Sequence, residues 1–79
     1  MFYIYFLKKQ KSNYIYIGFT DDLQRRMKEH KKDKLNYDLI YYEAYLLEKD
    51  AREREYKLKE YGSALGHLKR RLHYSLTKI

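Results

Sequence analysis

The chain has 79 residues, with 18 Lys and Arg against 11 Asp and Glu for a formal net charge of +7, and it contains no Cys, Pro or Trp. Its length sustains one domain, residues 1–79, near the lower limit for an unaided core. The lack of Cys excludes a disulfide framework and a thiolate metal site and fits a cytoplasmic protein. The apolar run Phe2–Leu7 is too short to span a bilayer, so no membrane partner is expected. The positive excess favours polyanions such as nucleic acid or anionic lipid.

"FYIYFLK" at 2–8 and "YIYIG" at 14–18 alternate with period two and are rich in aromatic and β-branched residues, so both read as strands joined through a polar hairpin connection. Placing Phe2, Ile4 and Phe6 on the same face as Ile15 and Ile17 requires paired residue numbers with an odd sum. A sum of 21 pairs Tyr5 with Tyr16 and leaves a four-residue loop, Lys9–Ser12. On the opposite face the tyrosines either cover a half-exposed sheet or serve a chemical purpose.

Thr20 is a fair N-cap for a helix over 21–32, with Asp21 and Asp22 at its positive end and lysines at its negative end. Arg26 and His30 are neighbours at i, i+4 on this helix. Arg26 can hold a phosphate in a planar fork, and His30 can donate to one or shuttle a proton. His30 also falls on the Leu23–Met27 side, which makes it a candidate boundary core residue.

A third strand is predicted over 39–46, "LIYYEAYL", and a second helix over "EKDAREREYKLKEYG", ending at Gly62. A shorter helix over "SALGHLKRRLHY" has Ser63 as its candidate cap. In the second helix Ala51, Leu58 and Tyr61 form an apolar stripe with Glu55 in its middle. A carboxylate aimed at a sheet is costly to desolvate unless a cation pairs with it or it binds a metal. The order β-β-α-β-α-α implies an α+β domain with a small antiparallel sheet.

The histidines show no zinc-ligand spacing, and there is no P-loop or Ser or Cys nucleophile motif. Tyrosine, arginine, histidine and a lone glutamate on a basic chain suit phosphodiester chemistry assisted by a hard divalent cation.

"YIY" at 3–5 and "YIG" at 16–18 resemble the two signature tripeptides of the GIY-YIG endonuclease superfamily, and the resemblance continues through "YIGFTDDLQRRMKEH" and "AREREYKLKEYG". The chain is most similar to the small stand-alone bacterial members. The resemblance implies a three-stranded antiparallel sheet flanked by helices and one divalent cation, Mg²⁺ or Mn²⁺. It further implies that Tyr5 and Tyr16 are the signature tyrosines, one of which takes a proton from the attacking water. Arg26 is then the arginine that steadies the scissile phosphate, His30 the helix histidine and Glu55 the metal-binding glutamate. The first signature glycine is replaced by Tyr3.

The expected activity is therefore metal-dependent hydrolysis of phosphodiester bonds in DNA, on branched or damaged structures of the kind met in repair and recombination. Tyr3, Lys8, Lys9, Arg25, Lys31, Lys32, Lys69 and Arg70 are the expected nucleic-acid contacts. The competing expectation is a basic nucleic-acid-binding module without catalysis, which would have no need of a buried carboxylate.

Overall fold

A computed structural model describes residues 1–78. The elements run β1 (Phe2–Lys9), β2 (Ile15–Thr20), α1 (Leu23–Asp33), β3 (Tyr37–Tyr45), α2 (Glu48–Glu60), α3 (Gly62–Arg71) and α4 (His73–Lys78). The three strands make one antiparallel sheet in the order β2-β1-β3. The expected α+β order is present, with the short α4 added at its end.

Alternation on β1 sorts the sheet into two faces. Ile4 and Phe6 join Ala51, Leu58 and Leu68 in a buried cluster, against which Ile15, Ile17 and Phe19 of β2 pack. This face is covered by α2 and α3. The other face carries Tyr3, Tyr5 and Leu7 of β1 opposite Thr20, Gly18 and Tyr16 of β2. There α1 brings its His30 against the tyrosine rings.

The hairpin register differs from the expected one by two residues. Tyr5 pairs with Gly18 and Tyr16 with Leu7, so the sums are 23 rather than 21. The slide keeps every side chain on its face, and its cause is steric. A Cβ built on Gly18 would run into the Tyr5 ring, so a bulky phenol fits only opposite the residue without a side chain. The connection lengthens to Gln10–Tyr14, with Lys11 at φ 59° and the Ser12 hydroxyl accepting from the Tyr14 amide at 3.1 Å.

The helix boundaries also moved. Asp22, not Thr20, caps α1, its carboxylate accepting from the Arg25 amide at 3.1 Å. Thr20 ends β2, and its hydroxyl accepts from the Asp22 amide at 3.1 Å. Tyr61 ends α2 and begins α3, so Gly62 and Ser63 both lie inside α3 and Ser63 is not its cap. Tyr61 is 54% exposed rather than part of the stripe that buries Ala51 and Leu58.

Candidate active site

Tyr5 sits on the central strand and is 1% exposed. Its hydroxyl lies 2.8 Å from His30 Nε2 and accepts from Arg26 Nε at 3.3 Å. One turn of α1 thus supplies both partners, as their i, i+4 spacing requires. The Tyr5, Tyr16 and His30 rings pack mutually, with centroids 5.5–6.2 Å apart. Tyr5 and Tyr16 meet diagonally across the hairpin, a consequence of the observed register.

The electrostatics define the proton inventory. Burial, reinforced by the nearby Arg26 and Lys34 cations, lowers the His30 pKa and leaves the imidazole neutral at pH 7. Burial raises the Tyr5 pKa, against the opposing hydrogen bond from Arg26, so Tyr5 is a neutral phenol. Arginine can only donate. The Tyr5 oxygen therefore receives Arg26 Nε–H, and its own proton is available to His30 Nε2. Such a phenol is polarised from both sides.

Arg26 also pairs with Glu29 at 3.0 Å and lines a polar cleft of about 450 Å³ between the start of α1 and the start of α2. Arg25, Glu48 and Arg52 share its wall. Arg52 lies over the Phe19 ring at 3.6 Å and bonds both Glu48 and Glu55 at 3.4 Å. No motif or spacing in the sequence singles out Arg52. It is the residue that links Glu55 to the cleft.

Glu55 is partly buried, its side chain 16% exposed, and its second oxygen accepts from Lys59 at 3.0 Å. Of the two partners open to it from the sequence, cations fill both oxygens. No hydrogen bond or ion pair joins Glu55 to Tyr5, Arg26 or His30 among the described residues. Nor do the described residues contain a group of three or more His, Asp or Glu suited to a metal ion.

A second carboxylate, Glu43, faces α2 from β3 and is not among the residues that the sequence motifs mark. Arg54 grips it with two bonds, at 2.9 and 3.1 Å, while Tyr41 and Tyr45 donate at 2.8 and 2.6 Å. Burial raises the Glu43 pKa, but the hydrogen bonds from Arg54, Tyr45 and Tyr41 outweigh it and hold the group below the usual carboxylate value. Tyr45 is pushed up to about 12, by burial first and then by its bond to Glu43. The signal was present in "YYEAY", since alternation puts Tyr41, Glu43 and Tyr45 on one strand face.

The expected nucleic-acid contacts divide by layer. Arg25, Lys31 and Lys32 are exposed on α1, the helix that carries Arg26 and His30. Tyr3 stands on the same sheet face, its ring edge-on to Tyr42 with centroids 6.2 Å apart. Lys9 is exposed at the end of β1. Lys69 and Arg70 are exposed on α3, which packs on the opposite face. Lys8 is only 3% exposed on the central strand, and its ammonium donates to the Lys9 carbonyl at 3.2 Å. It is too enclosed to be a surface phosphate contact.

These features define a small α+β domain with a phenol held between an imidazole and a guanidinium on a basic surface. The chain matches the family model of the GIY-YIG catalytic domain over residues 1–69 and belongs to that family, a nuclease family. No curated protein and no solved structure matches the chain. No helix among the described residues is long and apolar enough to cross a membrane.

Proposed function

We propose that the chain is a metal-dependent DNA endonuclease that acts on branched or damaged structures inside the cell. The observation that carries this reading is the Tyr5 hydroxyl held between Arg26 Nε and His30 Nε2. A phenol with a base on one side and a fixed cation on the other is a proton-transfer site, and Arg26 stands where it also faces the polar cleft. The less buried Tyr16, packed on the same imidazole, is the tyrosine that would meet an attacking water. The neutral His30 then takes the proton that the tyrosines pass on, while Arg26 steadies the phosphate.

Glu55 is the residue that would hold one Mg²⁺ or Mn²⁺. Its donor chemistry fits, because Mg²⁺ is commonly held by one or two carboxylates together with waters and substrate phosphate oxygens. When bound, the ion lowers the pKa of a water and offsets charge gathering on the phosphate. Arg52 and Lys59, which now occupy the Glu55 oxygens, must release at least one of them to admit the ion.

That occupation favours a second reading, a basic nucleic-acid-binding module in which Glu55 is a structural ion-pair partner. One experiment separates the two. Purified chain with Mg²⁺ or Mn²⁺ is expected to nick supercoiled or branched DNA, and Glu55→Gln to abolish nicking while DNA binding persists. Nicking at an equal rate by the variant would remove Glu55 from the reaction, and no nicking by the parent chain would favour the binding module.

A further inference from the structure

The apolar side of α1 is not filled by the sheet beneath it. Leu23 and Met27 face a groove that runs along α1 towards β3, in two adjoining stretches of about 400 and 470 Å³ that share Met27, Lys31 and Leu39. Each stretch is within the range of about 300–1,000 Å³ typical of small-molecule sites. The larger one has Leu7, Met27 and Leu39 in its lining, with Leu39 38% exposed on edge strand β3. His30 also lines it, so the groove opens directly beside the Tyr5–His30 pair.

The rim is cationic. Lys31 borders both stretches, Lys34 the larger and Lys28 the smaller. Lys34 Nζ stands 4.7 Å from the Tyr16 ring centroid and 5.3 Å from that of Tyr37. The single carboxylate in the lining, Asp38, accepts from Gln10 at 2.9 Å. An apolar floor under a row of ammonium groups complements an occupant that is flat and apolar at one end and anionic at the other.

We propose that this groove is a subsite for one unpaired nucleotide of the substrate strand. Its base would lie on Leu7, Met27 and Leu39, and its flanking phosphates would be held by Lys31 and Lys34. A base in a closed duplex is covered by its stacked neighbours, so only an unpaired or displaced one reaches such a floor. The proposal rests on the nuclease reading and gives it a substrate class: DNA with an unpaired nucleotide beside the scissile phosphate.

The test is fluorescence anisotropy on the purified full chain in EDTA, which prevents cutting. The probes are an oligothymidylate, an abasic strand with the same number of phosphates, and a blunt duplex. The oligothymidylate is expected to bind about tenfold more tightly than the abasic strand. Leu39→Gln is expected to abolish that difference while leaving abasic-strand and duplex binding unchanged. Should Leu39→Gln fail to fold, the comparison of strands on the parent chain still decides. Equal affinity for the two strands overturns the subsite even where the chain nicks DNA, which leaves the nuclease reading standing. Failure to bind any of the three overturns both. Displacement of the strand by an acidic amphipathic peptide that binds more tightly than the oligothymidylate also overturns it and assigns the groove to a protein.

Discussion

The Tyr5 ring occupies the space that any side chain at Gly18 would need, and the two residues face each other across the hairpin. This fit sets the β1–β2 register and brings Tyr16 diagonally beside Tyr5. Gly18→Ala is expected to force the Tyr5 ring out of place and to destabilise the fold by about 1–3 kcal/mol, the usual cost of overpacking. Urea denaturation reads the loss. Combining it with Tyr5→Leu, which shortens the opposing side chain, should recover part of the stability, and strict additivity of the two changes would refute the steric account.

Tyr5→Phe removes the oxygen that joins Arg26 to His30 but keeps the ring packing. Its expected cost in stability is about 0.5–1.5 kcal/mol, that of one hydrogen bond. Tyr16→Phe should fold as the parent does. On the proposed division of labour, Tyr16→Phe loses most of kcat because its hydroxyl meets the water, and Tyr5→Phe loses turnover through the His30 relay. Full turnover in either variant makes that hydroxyl structural.

His30 provides a pH signature. Its folded-state pKa is depressed, by burial first, so between that value and its unfolded value of about 6.5 the unfolded chain binds a proton that the native chain refuses. The stability is present above about pH 6.5 and declines as pH falls through this window. Denaturant midpoints measured from pH 8 downward should show the decline in the parent chain and a shallower one in His30→Gln. Identical slopes would show that His30 is not desolvated.

Arg54→Met leaves the Glu43 carboxylate with only its two tyrosine donors. The side chains are 28% and 14% exposed, so water screens part of the loss, and about 1–3 kcal/mol of destabilisation is expected. Nicking at a temperature where the variant stays folded should be unaffected, because this cluster lies on the sheet face away from Tyr5. A thermal midpoint equal to that of the parent would make the cluster energetically idle.

The two faces of the sheet and the pairing of Arg26 with His30 are consequences of local periodicity, and both were legible. Period two decides which strand residues share a side, and 3.6 residues per turn decides that positions 26 and 30 adjoin. The position of Glu55 within its helix stripe was equally legible. What holds it was not, because the sequence admits a cation or a metal equally and only packing shows Arg52 and Lys59 at its oxygens.

Thus the residues alone determined the α+β order, the tyrosine face and the family motif, since each follows from spacing along one chain. Tertiary structure decided the register, which a two-residue slide changes without moving any side chain to the other face, through the fit of Tyr5 against Gly18. It also decided the enclosure of Lys8 on the central strand and the gripping of Glu43 by Arg54. Both depend on which groups meet across elements far apart in sequence, and no local pattern encodes such distances.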